Sequence, residues 1–181
     1  MVEPSASRHE LASKIRSVPG FPKPGIVFRD ITTLLKDPHS LAMAADLLAS
    51  QYQGESLQKV VCVESRGFIL GALLADRLGC GFVPIRKHGK LPAPTLAEEY
   101  ALEYGKDSIE IHQDAIEAGD RVLIHDDLLA TGGTAAAACR LVERLGGKIA
   151  GLAFLIELSF LNGRKQLGRY PVFSLIQYDA E

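Results

Sequence analysis

Val122-Leu123-Ile124-His125-Asp126-Asp127-Leu128-Leu129-Ala130-Thr131-Gly132-Gly133-Thr134 is the stretch whose reading decides the fold. The apolar run from Arg121 to His125 reads as a strand that ends in two carboxylates. Helical periodicity follows from about Thr134 to Leu145, with Ala138, Leu141, Val142 and Leu145 at core spacing and Gly146-Gly147 as the stop. Between them, Ala130 to Thr134 form a small-residue loop at a helix N-terminus. Unpaired N–H groups and the helix dipole favour a phosphate there, and Gly132 and Gly133 let it approach the backbone. Thr131 and Thr134 add hydroxyl donors. Asp126 and Asp127 can accept hydrogen bonds from a sugar diol or lie near a metal-bound ligand. Together the parts suit a ribose 5-phosphate. A Walker A loop needs a lysine that is missing here, and a dinucleotide fold needs GxGxxG. A plain glycine turn, with one aspartate capping the helix, explains Thr131–Thr134 as well as a phosphate loop does, but not the whole string.

Outward from this stretch, apolar strands alternate with helices. Lys59–Val63 is a strand, Gly67–Leu78 a helix ended by Gly79, and Gly81–Ile85 a strand with Pro84 at its end or edge. Ile149–Leu158 and Pro171–Tyr178 are the last strands. Such alternation indicates an α/β fold, with a mostly parallel twisted sheet flanked by helices on both faces. Upstream, Leu11, Ile15 and Val18 place a first helix over about Ser7–Val18. Pro19-Gly20 ends it, and Phe21–Gly25 cannot be regular helix or central strand. Asp37 caps a second helix with Pro38 at its first position and Leu41, Ala44, Ala45 and Leu48 inside.

The region after Ile85 breaks the alternation. Arg86, Lys87, His88 and Lys90 precede Pro92 and Pro94. Glu98–Tyr104 and Ser108–His112 then read as hairpin arms around Gly105. Tyr100, Leu102 and Tyr104 share one face of the first arm, and Glu99 and Glu103 the other. Most charge runs are solvated faces, yet such an excursion from an α/β domain is usually functional or disordered.

The 181 residues suit a single domain, and 47% hydrophobic against 23% charged argues against disorder. A net charge of −2 leaves no broad footprint for nucleic acid. No signal peptide and no membrane helix are read, so a soluble cytoplasmic protein is expected. The scattered Cys62, Cys80 and Cys139 read as reduced thiols, the first two buried, and no histidine spacing suggests a protein-held transition metal.

The thirteen-residue string resembles the phosphoribosyl-pyrophosphate (PRPP) signature of the type I phosphoribosyltransferases, and its Asp126–Thr134 portion resembles the adenine-using branch of that family. Phe21–Ile31, Glu64–Phe68, Ile85–Lys106, Gly163-Arg164 and Phe173–Leu175 match the same family in order, so the resemblance covers nearly the whole chain. It implies a single domain over 1–181, with a small N-terminal hood over about 1–36, a core over about 37–181 and a mobile β-hairpin lid over about 86–112. It implies adenine plus PRPP giving AMP plus pyrophosphate, with Mg²⁺ held mainly by PRPP or pyrophosphate oxygens and water, and a homodimer. By the same resemblance Phe28 stacks on the purine while main-chain groups of Val27 and Arg29 read its edge. Arg66 and Lys87 meet pyrophosphate, and Glu103 and Tyr104 close over the reaction centre, Glu103 as the general acid/base or electrostatic partner. The rivals are another purine base and a non-catalytic PRPP-binding regulator. His125 departs from the apolar residue usual in the family, and reads as packed and hydrogen-bonded rather than catalytic.

Overall fold

The computed structural model describes residues 4–102 and 105–180. Its elements run α1 (Pro4–Lys14), β1 (Arg16–Pro19), β2 (Val27–Asp30), α2 (Thr32–Leu35), α3 (Pro38–Ser50), β3 (Lys59–Val63), α4 (Gly67–Leu78) and β4 (Gly81–Lys87). They continue with β5 (Thr95–Leu102), β6 (Gly105–His112), β7 (Arg121–Leu129), α5 (Gly133–Arg144), β8 (Lys148–Leu158) and β9 (Val172–Tyr178). Seven strands form one sheet in the order β5-β6-β4-β3-β7-β8-β9. The five from β4 to β9 are parallel, and β6 and β5 add an antiparallel edge.

Strand alternation sends side chains into two cores. Val60, Cys62 and Leu123 pack with α1 to α4, together with Leu11, Leu34, Leu48, Leu70 and Leu74. Val61, Val63, Val83, Ile85, Val122 and Ile124 face the other way, against Ala137, Ala138, Leu141 and Val142 of α5. Both faces of the parallel strands are therefore covered, which is why they read as unbroken apolar runs.

Several boundaries differ from the sequence reading: β4 runs on to Lys87, and the hairpin strands begin at Thr95 and Gly105, each three residues before the expected arm. The first helix stops at Lys14, because Arg16–Pro19 pairs antiparallel with Val27–Asp30 and Val18 sits opposite Phe28. Leu11 and Ile15 keep their buried places, so the helical spacing is real, but it extends to Val18, four residues past the helix. The strand of the signature does not end at the carboxylates; β7 continues to Leu129. Pro84 lies within β4, where β6 pairs only with Arg86 and Lys87, so its missing N–H faces an open edge. Asp37 caps α3 as expected, its side chain accepting from the His39 N–H at 3.1 Å and the Ser40 hydroxyl at 3.0 Å. Cys62 and Cys139 are buried free thiols, while Cys80 is only half-buried.

His125 is fully buried, and its Nδ1–H donates to the Ala153 carbonyl at 2.9 Å. Burial disfavours the imidazolium and lowers its pKa from 6.5 to about 4, against the opposing pull of that hydrogen bond. The unfolded chain binds this proton as pH falls through 6.5, while the folded chain resists until about 4. Stability is thus lost across that window and the loss levels off below it, amounting to roughly 3 kcal/mol. Urea titrations between pH 7 and pH 4 should show that component in the native protein and lack it in His125→Leu.

Candidate active site

The chain leaves β3 through α4 to β4 on one side, then returns to place β7 on the other side of β3. In a parallel sheet that reversal opens a crevice at the carboxyl ends of the two strands, where ligands bind. A cavity of about 410 Å³ lies there. Its walls include Glu64, Ser65 and Arg66 after β3, Asp126 and Asp127 on β7, Ala130 and Thr134 beyond it, and Lys87, Tyr100 and Asp107 from β4, β5 and β6. A smaller adjoining hollow of about 70 Å³ is lined by Ala130, Thr131, Gly132, Gly133 and Thr134.

Regular alternation would send Asp126 and Asp127 to opposite faces of the sheet, yet both line the cavity. Both lie near the carboxyl end of β7, and the Asp127 N–H donates to the Asp126 side chain at 2.8 Å. Arg66 Nε donates to Asp127 Oδ2 at 2.6 Å. Burial, and then repulsion from Asp127, push the Asp126 carboxyl well above the usual carboxylate range. The start of α4 fits against this pair because residue 67 is glycine; a Cβ there would lie 2.9 Å from Asp126 Oδ1.

The glycine loop Ala130–Thr134 rises into α5. Gly132 has φ +87°, and a Cβ on it would collide with the Gly163 carbonyl oxygen. Glycine is required there on both counts. The helix begins at Gly133, so the loop's N–H groups lie at its first turn.

The basic run is pinned by acids. Glu64 accepts from Arg86 Nε and Lys90 Nζ, each at 2.7 Å. Burial pushes the Glu64 carboxyl up, but those two hydrogen bonds prevail and hold it below its ordinary value. Lys87 Nζ lies 3.2 Å from Asp107 Oδ2, which raises the lysine's pKa. The Tyr100 hydroxyl donates to the same carboxylate at 3.3 Å. His88 pairs with the buried Glu110, which also accepts from the Gly89 N–H at 3.0 Å.

Of the residues read from the sequence, Arg66, Lys87, Asp126, Asp127, Ala130 and Thr134 meet in the cavity, and Thr131, Gly132 and Gly133 line the adjoining hollow. Phe28 lies outside that lining but carries the Arg66 guanidinium 5.0 Å from its ring centre, which ties the hood to the site. Phe21 meets Phe28 edge-on at 5.2 Å. The Gly20 N–H donates to the Ile26 carbonyl at 2.8 Å. Antiparallel alternation then turns the main-chain groups of Val27 and Arg29 away from β1, toward the open edge of β2. The Arg29 side chain points elsewhere, 4.0 Å above the Tyr178 ring. Glu103 and Tyr104 lie outside the described residues. Sequence reasoning missed Glu64 as an anchor and Tyr100 and Asp107 as cavity walls. The tyrosine's place on the face of Leu102 was the only signal.

A crevice at the topological switch point, an acid pair on its central strand and a glycine loop opening a helix define a phosphoribosyltransferase of the type I fold. The sequence profile of the phosphoribosyl transferase domain matches residues 30–177. An adenine phosphoribosyltransferase of Chloroflexus aurantiacus is 58% identical over 172 residues, covering 95% of this chain and 99% of the relative. The crystal structure of adenine phosphoribosyltransferase from Rhodothermus marinus superposes with TM-score 0.92 at 56% identity, over 96% of this chain and 99% of that one. The Saccharomyces cerevisiae enzyme, solved with an imino-altritol bisphosphate and adenine, gives TM-score 0.90 at 41% identity, over 95% and 99%. The chain belongs to the adenine phosphoribosyltransferase family.

Gly132→Ala should strain the loop by about 1–3 kcal/mol and push it off the Gly163 carbonyl. Steady-state assays should find kcat/KM for PRPP lowered by on the order of 10²-fold, the scale of a ~1 Å misplacement. An unchanged value would show that the loop conformation is immaterial to turnover.

Proposed function

We propose that the cavity residues divide the transfer of a 5-phosphoribosyl group from PRPP to adenine as follows. The N–H groups of Ala130–Thr134, with the Thr131 and Thr134 hydroxyls, hold the 5-phosphate at the start of α5. Asp126 and Asp127 take the ribose hydroxyls, with Asp126 held toward its neutral form so that the pair does not repel an anionic ligand with two full charges. Arg66 and Lys87 bind the pyrophosphate leaving group, Lys87 exchanging Asp107 for it. Phe28 stacks on adenine, and the outward main-chain groups of Val27 and Arg29 read its edge. The observation that carries this reading is the convergence of the acid pair, Arg66 and the glycine loop on one cavity.

Displacement at the anomeric carbon passes through an oxocarbenium-like state that water would intercept, so a lid over the cavity protects it. Residues of β5 and β6 already reach the cavity through Tyr100 and Asp107, which supports the hairpin over 86–112 as that lid. Glu103, with Tyr104, is the acid/base or electrostatic partner of the reacting centre. Among the described residues no three His, Cys, Asp or Glu side chains converge as a metal-binding group. The oxygen donors Asp126 and Asp127 fit a Mg²⁺ ion carried mainly by pyrophosphate oxygens and water, as this ion prefers. Mg²⁺ held in this way would neutralise charge developing on the leaving group. The half-exposed Ile69 and Phe82, with Phe68 edge-on to Phe82 at 5.5 Å, support a homodimer. Free thiols support a reducing cytoplasm, and among the described residues no helix is long and apolar enough to cross a membrane.

Base-dependent pyrophosphate release tests the reading. Adenine should be used at least ~10²-fold better in kcat/KM than hypoxanthine or guanine, because a main-chain acceptor that suits an amino group repels a carbonyl. Equal use of hypoxanthine would overturn the role of the hood. Glu103→Ala should lower kcat by ~10²–10⁴-fold while leaving PRPP affinity nearly intact. A Glu103→Gln enzyme as fast as the native one, beside a slow alanine variant, would reduce Glu103 to shaping the lid.

A further inference from the structure

The phosphate loop rests on a second layer. Between β8 and β9 the turn Gly163–Gln166 lies behind it. Gly132 and Gly163 meet backbone to backbone: a Cβ on the first would strike the Gly163 carbonyl oxygen, and a Cβ on the second the Ala130 carbonyl oxygen. With no side chain between them to yield, the position of the turn sets the position of the loop.

One buried carboxylate fixes that turn. Glu157, on β8, has a side chain only 4% exposed. It accepts two hydrogen bonds from Arg164, Nε to Oε1 at 2.6 Å and Nη2 to Oε2 at 2.7 Å. Arg164 Nη1 donates to the Val172 carbonyl at 2.9 Å, at the start of β9. Ser174 and Gln177 of β9 complete the cluster, Gln177 donating to Glu157 Oε2 at 3.3 Å. A planar two-point fork fixes the orientation of the arginine as well as its distance, which a lysine cannot do.

We infer that Arg164 and Glu157 are positioning residues for the reaction: their fork braces Gly163 behind Gly132 and presets the loop's N–H groups before the phosphate arrives. Neither touches the cavity. The inference rests on the reading of Ala130–Thr134 as the 5-phosphate site.

Calorimetry of AMP and of magnesium pyrophosphate binding to the full chain tests it, with Arg164→Ala, Arg164→Lys and Thr134→Glu compared and melting temperatures recorded. Arg164→Ala should weaken AMP binding roughly ten- to a hundredfold, the cost of a loop displaced by about 1 Å. Arg164→Lys should fall between it and the native protein. Pyrophosphate, met by Arg66 and Lys87 on other elements, should change by less than about twofold. Parallel loss of both ligands with a lowered melting temperature would make the fork a merely structural support and overturn the inference. Unchanged AMP affinity in the Arg164 variants, with Thr134→Glu impaired, would overturn it and leave the phosphate site standing. If Thr134→Glu also binds AMP normally, the phosphate-site reading fails and the inference with it. Should Arg164→Ala not fold, Arg164→Lys decides: selective loss of AMP supports the brace, and equal or no loss refutes it.

Discussion

Two carboxyl groups on successive residues of a central strand impose the constraint to which the site is fitted. Unit charges about 4 Å apart repel by ~4 kcal/mol at an effective dielectric of ~20, so Asp126 and Asp127 could not both stay ionised and unpartnered in a crevice. The structure relieves the repulsion in two ways. Arg66 meets Asp127 from the start of α4, and burial moves Asp126 toward its neutral form. Gly67 lets that helix start come close enough, and Phe28 beneath the same guanidinium joins the hood to the pair. One arginine thus links Phe28, the acid pair and the turn between β3 and α4.

The parallel core was legible because its strands are buried on both faces and short, and because Gly79 and Gly146 stop α4 and α5 where the spacing ends. The hood was less so. Leu11, Ile15 and Val18 continue a helical period, but Val18 belongs to a hairpin whose partner, Phe28, lies beyond a Pro/Gly segment. Local spacing carries no information about that pairing. The extension of β7 to Leu129 was hidden for a related reason. Polar residues in the middle of a strand read as its end unless the neighbouring strand is known, and β8 pairs with β7 as far as Glu157.

In the site, the strand–loop–helix string carries its chemistry locally, so Asp126, Asp127 and Ala130–Thr134 could be named from sequence. Glu64, Tyr100 and Asp107 could not. Glu64 acquires Arg86 and Lys90 across the β3–β4 pairing, and Tyr100 and Asp107 acquire their partners across β4–β6 and β5–β6, where Lys87 lies opposite Ile109 and Tyr100 opposite Asp107. The basic run, for which a solvated face was the plain alternative to a lid, is paired with three carboxylates, Glu64, Asp107 and Glu110.

A crystal structure of the protein with AMP tests the account most directly. Its phosphate oxygens should lie about 3 Å from the N–H groups of the Ala130–Thr134 loop, with the ribose hydroxyls on Asp126 and Asp127. A phosphate seated instead in the basic cleft beside Arg140, Lys165 and Arg169, or ribose hydroxyls turned away from the acid pair, would contradict it.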